Sequence, residues 1–325
     1  MTFFSVIIPT IGRQKLARAA QSVLSQELPP DTLELIVVND SGRPLPPAAW
    51  QKSEQVQIIT TQRQERCVAR NTGAAVAQGR YLLFLDDDDW LLPRALGRLL
   101  QTAATTKAEF IYGRTQLVDR KGNPLLILQP DIDSHCFTQL MSGEWIPLQS
   151  AIIRADAFAA VGGFNPLVIG GEDIDLLRRL AYRYRFTPVA GVIACVEMGR
   201  AGSTTNYAQG RQQARQAKDR LLDWPAAGRR LRQSAGSAYW RGRVVHLYLA
   251  SAYLNLTRKR FFLFGSRMAQ AVFHTATAVT SLLSPAFWQA VFTSHQSRAF
   301  TPHLQTAGAP GKTAGEKCQT VKEAP

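Results

Sequence analysis

The sequence predicts an α/β domain, a sheet flanked by helices, followed by a basic helical extension. Three observations carry this. Short apolar strands alternate with helices through the first 110 residues. The apolar run Tyr81-Leu82-Leu83-Phe84-Leu85 ends abruptly in four acids, Asp86 to Asp89. Charge is unevenly spread: residues 1–200 hold 21 Lys and Arg against 20 Asp and Glu, whereas residues 201–325 hold 17 against 4.

Residues 4–8 read as the first strand and residues 14–26 as a helix with Leu16, Ala20, Val23 and Leu24 on one face. Residues 33–38 form a second strand that runs into Asn39-Asp40-Ser41-Gly42, and residues 56–60 a third. Residues 67–77 are a helix of small residues and 81–85 a buried strand, continuous and partly aromatic. Residues 93–102 start a helix with proline in its first turn. Such alternation implies a largely parallel sheet with helices on both faces. Residues 109–112, 116–118 and 125–128 are strand-like, the last two flanking a turn at Asp119-Arg120-Lys121-Gly122-Asn123-Pro124. Residues 151–154 form a short strand, 172–184 a helix and 187–196 a last strand. Residues 209–220, 238–256 and 260–283 are helical, the last two apolar with basic interruptions.

At 325 residues and 46% apolar, the chain can build a sizeable core. Four widely spaced cysteines without a CxxC pair argue against a zinc site or a disulfide framework and favour a reducing compartment. The first residues lack a basic n-region and read as a strand, not as a leader. The basic second part points to a polyanionic partner. Its aromatics lie in apolar runs, which favours an anionic membrane surface over nucleic acid. From Thr301 the Ala/Gly/Pro/Lys-rich composition predicts a disordered tail.

Three carboxylate sites stand beside element ends. Asp40 follows the second strand, where it can accept from a nucleobase or a ribose; the same tetrapeptide is also a strong Asx-turn sequence. Asp86 to Asp89 carry more charge than helix capping needs, and a divalent cation with oxygen ligands is the simplest way to offset their repulsion. Gly170-Gly171-Glu172-Asp173 opens a helix and offers a candidate general base, or simply a complement to the helix dipole. Between them, Arg70 and Asn71 are candidate donors to phosphate or base, on a helix whose small residues permit close packing.

Taken in order, these pieces resemble the family 2 inverting glycosyltransferases of the GT-A fold. The matching residues are Val6-Ile7-Ile8-Pro9-Thr10 with Arg13; Val37-Val38-Asn39-Asp40-Ser41-Gly42; Ala69-Arg70-Asn71-Thr72-Gly73 to Gly79; Phe84-Leu85-Asp86-Asp87-Asp88-Asp89; and Glu172-Asp173 with Leu176 and Arg178. The resemblance implies a GT-A catalytic domain over residues 1–205, with a Rossmann-like mixed sheet. Residues 206–300 would be a basic, membrane-associating extension and 301–325 the tail. By the resemblance, Pro9, Thr10 and Arg13 line the nucleotide pocket, Asp40 contacts the base, and Arg70, Asn71, Asp86 and Asp87 face the nucleotide. Asp86 and Asp88 become the Mg2+ or Mn2+ ligands on a sugar-nucleotide diphosphate, with Asp87 and Asp89 as the other frame. Asp173 becomes the base, oriented by Glu172. Arg200 stands where many relatives carry a metal-binding histidine, and is assigned to the diphosphate. Asn39-Asp40-Ser41-Gly42 also departs from the commoner Asp-Asp-Gly-Ser.

The expected activity is single-displacement transfer from a nucleotide sugar, UDP being the favoured nucleotide, to a lipid-linked or surface-polysaccharide hydroxyl. The expected location is the cytoplasm, peripheral at the inner face of the cell membrane. Two alternatives are a nucleotidyltransferase that forms sugar nucleotides and a non-enzymatic polyanion-binding protein. The short, glycine-poor Pro9-Thr10-Ile11-Gly12-Arg13 argues against the first of these.

Overall fold

In the computed structural model of the chain, the residues described are 2–62, 65–130, 132, 134–168, 170–198 and 207–293. The expected tail and Arg200 lie outside them. The chain runs β1 (Phe4–Thr10), α1 (Leu16–Leu24), β2 (Leu33–Asn39), β3 (Val56–Thr60), α2 (Arg66–Val76), β4 (Tyr81–Phe84), β5 (Trp90–Leu91), α3 (Ala95–Thr106), β6 (Phe110–Val118) and β7 (Pro124–Leu128). It continues through α4 (Phe137–Ser142), β8 (Ala151–Arg154), α5 (Ala155–Ala160), α6 (Glu172–Arg183), β9 (Phe186–Glu197), α7 (Tyr207–Leu221), α8 (Ala227–Ser234), α9 (Ala238–Thr257), α10 (Phe261–Thr277) and α11 (Pro285–Phe292).

One nine-stranded sheet takes the order β3-β2-β1-β4-β8-β6-β9-β5, with β7 paired to β6. Its first half is parallel, as the alternation predicts. Its second half is mixed: β8 runs antiparallel to β4 and β6, β5 to β9 and β7 to β6, while β6 and β9 are parallel. The sheet is therefore less parallel than the strand–helix rhythm alone implies. The two segments expected around residues 109–118 are one strand. Gly113 interrupts the apolar pattern because a Cβ there would stand 2.3 Å from Ile193 Cγ1, and the β6–β9 register shifts beside it. The apolar stretch 260–283 is not one helix but α10 followed by a 3-10 turn at Val279–Ser281.

Strand alternation divides the core between the two faces. Ile7, Ile36, Val38, Leu82 and Phe84 point to the side covered by α2, α4, α6, α8 and α9. Val6, Ile8, Leu35, Val37 and Leu83 point to the side covered by α1 and α3. The first of these cores continues across the expected boundary near residue 205, since Leu231, Val244, Leu247 and Tyr248 belong to it together with Phe137, Leu140 and Leu180. Thr138 Oγ1 in α4 donates to Leu231 O at 2.6 Å, and Ser234 Oγ accepts from Thr138 N at 3.0 Å. Helices α8 and α9 thus complete this core, to which α10 adds only Ala271, whereas α11 packs on α9.

The parallel half positions the site. Leu85 N donates to Ile7 O, and Asp40 N to Thr10 O at 2.7 Å, so β1, β2 and β4 end together. Ligands bind beyond such carboxyl ends. Helix α2 lies close on this edge because Gly73 lets it: a Cβ there would sit 2.6 Å from Ile7 Cγ2 and 3.1 Å from Val38 Cγ2. Gly-to-Ala in an open helix is stabilising by up to about 1 kcal/mol. Here Gly73→Ala should instead destabilise by about 1–3 kcal/mol through overpacking, read as a lower urea midpoint at unchanged slope.

Candidate active site

The four acids after β4 do not share one environment. Asp87 turns back to the end of β1: its Oδ2 accepts from Thr10 Oγ1 at 2.6 Å and its Oδ1 from Arg13 at 2.7 Å, and it is only 2% exposed. The hydroxyl of Thr10 also accepts from Gly12 N at 3.0 Å, which fixes the turn after β1. Asp86, Asp88 and Asp89 cluster instead, with one oxygen of each within 4.8 Å of the others, and Arg13 also stands 3.8 Å from Asp88 Oδ1. The turn closes through Asp89 N donating to Asp86 O, and Glu197 N of β9 donates to Asp89 Oδ1 at 3.0 Å. Arg18 donates to Asp88 O at 2.8 Å while its guanidinium stacks 3.7 Å over the Trp90 ring. Glu197 is in turn paired with Lys15.

Burial, together with Asp86 and Asp88 nearby, raises the Asp89 carboxyl well above the usual range. Burial also raises Asp87, although Thr10 and Arg13 favour its charged form. Asp86 goes the other way: burial opposes its ionisation, but the Arg70 guanidinium overrides it and holds the carboxyl below its usual value.

Arg70 is the joint of the site. It sits on α2, 5% exposed, and donates to Asp86 Oδ1 at 2.6 Å and to Glu172 Oε1 at 3.3 Å. Arg66, one turn earlier, reaches the same Glu172 oxygen at 3.3 Å. Glu172 starts α6, entered by Gly170 and Gly171, both at positive φ that a side chain would strain. Burial works against the Glu172 charge, yet Arg66, the Gly171 N–H and Arg70 together keep it below the usual range. Its neighbour Asp173 is half-buried: Oδ2 accepts from Trp145 Nε1 at 2.9 Å and Oδ1 from Ile174 N at 2.8 Å. Burial and then the Glu172 charge raise Asp173, with the Trp145 indole N–H opposing.

The remaining expected residues take distinct places. Pro9 lies in β1 opposite Val38. Asp40 is buried, its Oδ1 accepting from Thr61 Oγ1 at 2.6 Å and its Oδ2 from Glu65 N at 3.2 Å. The Asx turn in this tetrapeptide is made by Asn39, which accepts from Ser41 N and Ser41 Oγ and donates to Arg43 O at 2.6 Å. An aspartate could not donate that last bond, which accounts for asparagine at this point. Asn71 clasps Phe164, donating to its carbonyl at 2.8 Å and accepting from its N–H at 2.9 Å.

The structure therefore brings Thr10, Arg13, Asp86 to Asp89, Arg70, Glu172 and Asp173 into one network, with Asp40 at the neighbouring strand end. It adds Arg66, Trp145, Glu197 and Gln149, whose Nε2 donates to Asp86 Oδ2 at 3.2 Å. Sequence reasoning missed these four, and also Lys15 and Arg18 beside the acidic turn. Arg66 alone carried a local signal, four residues before Arg70 on the same helix face.

A mixed sheet in this order, with acids beyond the ends of β2 and β4 and at the start of α6, has the GT-A arrangement. The fold matches Staphylococcus aureus TarS 1–349 in complex with UDP-GlcNAc at a TM-score of 0.51 and 14% identity, over 86% of this chain and 91% of that one. Residues 5–145 match the model of Glycosyl transferase family 2. An uncharacterized glycosyltransferase of Haemophilus influenzae is 27% identical over 188 residues, covering 57% of this chain and 64% of that protein. The poly(ribitol-phosphate) beta-N-acetylglucosaminyltransferase TarP of Staphylococcus aureus is 33% identical over 116 residues, 34% of this chain and 36% of that protein. A Campylobacter jejuni GalNAc(5)-diNAcBac-PP-undecaprenol beta-1,3-glucosyltransferase is 32% identical over 130 residues, 38% and 41% respectively. The matched stretch thus spans less than two thirds of these relatives' own lengths.

Removing Arg70 leaves Asp86 and Glu172 buried without their shared cation. Arg70→Met should cost about 3–5 kcal/mol of stability at neutral pH. Both carboxyls are depressed in the folded chain, so their contribution is present above the unfolded carboxylate range and is lost as pH falls through the folded values. The gap between wild type and variant should therefore shrink on acidification, a trend that urea titrations at several pH values will follow.

Proposed function

We propose that this protein transfers a sugar from a nucleoside-diphosphate donor, with UDP as the nucleotide, to a hydroxyl of a polysaccharide or lipid-carried glycan, inverting the anomeric centre. The observation that carries the reading is the Arg70 bridge, which joins the acids after β4 to the carboxylate pair at the start of α6. Donor and acceptor chemistry need those two groups side by side. The names of the relatives that act on poly(ribitol-phosphate) and on an undecaprenol-linked glycan support the acceptor class. The UDP-GlcNAc complex of TarS supports the donor class. With a carrier-linked acceptor the enzyme would work as a peripheral protein at the cytoplasmic membrane face.

The donor set fits a hard cation: Asp86, Asp88 and Asp89 offer only carboxylate oxygens, close enough to share one ion. Asp87, spent on Thr10 and Arg13, is the acid least able to join them, which favours the Asp86/Asp88 frame. Bound Mg2+ or Mn2+ would neutralise the diphosphate as it departs. Asp40, at the neighbouring strand end, would accept from the base. Arg13 and Arg18 line the acidic turn and keep its charge balanced. Asp173 would take the proton of the attacking hydroxyl, and the Trp145 N–H holds one of its oxygens so that the carboxylate keeps one orientation. Glu172, bound to Arg66 and Arg70, fixes the first turn of α6 on which Asp173 stands. Since the leaving diphosphate needs no proton, one base suffices.

Nucleoside-diphosphate release and glycan transfer should be followed across a donor panel. Asp173→Asn should lower kcat for transfer by about 10²–10⁴-fold and leave donor affinity near wild type. Near-normal transfer by that variant would remove Asp173 from the role. EDTA should abolish product release and added Mg2+ or Mn2+ restore it in wild type, but not in Asp88→Ala. Pyrophosphate release from a nucleoside triphosphate would instead identify a nucleotidyltransferase. Because the base must be ionised and its carboxyl is raised, the rate should climb with pH along an acid limb whose midpoint lies above 3.8. A limb at or below the ordinary aspartate value would contradict this.

A further inference from the structure

Helix α10 is oriented against the usual rule. The stripe it turns to the protein carries Arg267, Ala271 and His274, all buried. Its outward positions carry Phe261, Phe262 and Val272, and the apolar surface continues through Leu283 to Trp288 and Phe292 of α11. Phe262 is 88% exposed, Leu283 93% and Phe292 75%. The rotation is fixed by polar contacts. Arg267 reaches Asp223 Oδ1 at 2.8 Å and donates to Ser251 Oγ at 2.9 Å, inside the packing of α7 and α9. Rolling α10 to hide its phenylalanines would break these contacts and expose or orphan a buried guanidinium. Exposure of the apolar side is therefore built in. Monomeric soluble proteins rarely present contiguous apolar surface of this kind without a partner.

The charge around this surface says which partner. Between Asp223 and Glu316 the sequence contains no acidic residue, and nine Lys and Arg fall within residues 224–293. Arg258, Lys259 and Arg260 form the turn that delivers Phe261 and Phe262. Lys259 and Arg260 are exposed, and neither forms an ion pair among the described residues. A second copy of this chain would bring the same cations against one another. An anionic phospholipid surface supplies phosphate for the rim and acyl chains for the phenylalanines. No described helix is long and apolar enough to cross a membrane, so the helices would lie in the plane of the interface.

We propose that the outer face of α10 and α11, with the basic turn at residues 258–260, docks on an anionic phospholipid surface, seating the phenylalanines at the headgroup–acyl boundary. This narrows the membrane contact expected of the whole 206–300 segment to one face, since α8 and α9 are committed to the core. Its purpose rests on the carrier-linked acceptor reading, but the binding is measured without any transfer reaction.

The full chain should be floated with vesicles of phosphatidylglycerol and phosphatidylcholine, and with phosphatidylcholine alone, at low and high salt. Strong binding to the first, weak binding to the second and weakening by salt are expected. Phe262→Glu with Leu283→Glu should lower the partition coefficient roughly tenfold or more, with circular dichroism and donor hydrolysis unchanged. Lys259→Ala and Arg260→Ala should each lower it roughly fivefold at low salt. Wild-type protein that stays off phosphatidylglycerol vesicles at low salt would overturn the proposal. So would a double variant that binds vesicles normally but loses a dimer seen by light scattering, which would make the face an interface between copies. Vesicle binding without any transferase activity would overturn the functional reading and leave this surface standing.

Discussion

The site is organised by the need to hold many carboxylates together. Asp86 to Asp89, Glu172 and Asp173 converge on one end of the sheet, and unscreened carboxylates a few ångströms apart repel strongly. The Arg70 guanidinium resolves much of this by serving Asp86 and Glu172 at once. Its planar fork can address two partners in different directions, which a lysine ammonium on the same stem would do less well. Everything that places Arg70 is in turn needed: the close seat of α2 on β1 through Gly73, and the turn that lets α6 begin where it does.

The acids illustrate how one run of identical residues is given different work. In the turn after β4, consecutive side chains diverge. Asp87 is drawn to Thr10 and Arg13, with Arg13 also beside Asp88, while Asp86 faces Arg70 of α2 and Gln149. Asp89 is drawn to the backbone of β9. Each destination shifts the carboxyl differently, with Arg70 lowering Asp86 and burial raising Asp87 and Asp89. The sequence reads as a uniform block of charge, and only the partners divide it.

That contrast marks how much was legible beforehand. Strands β1 to β4, β8 and β9 follow from apolar runs and their punctuation, and the acids stand where those runs stop. The β6–β7 hairpin follows from the turn at residues 119–124, but the antiparallel pairing of β8 with β4 and β6 and of β5 with β9 was not legible, because partners far apart in sequence leave no local periodicity. Helix α8 was hidden because Arg229, Arg230 and Arg232 surround its one buried leucine, Leu231. Trp145, Gln149 and Glu197 reach the site from loops and from the far end of β9, and nothing near them in sequence announces it. The basic character of the C-terminal part was visible in its charge, but which helices close the core depended on packing against α4.

The clasp between Asn71 and Phe164 has a consequence for what position 71 can hold. The side-chain amide acts as a surrogate peptide group, giving and receiving one hydrogen bond like a single rung of a ladder. Aspartate has nearly the same shape but would set oxygen against the Phe164 carbonyl, and leucine would leave both backbone groups without a partner. Spontaneous deamidation of Asn71 would make that first exchange without any change in the gene. A slow covalent ageing of one half-buried amide would then loosen the turn beside α2, and the loss would register at the acids which α2 holds together.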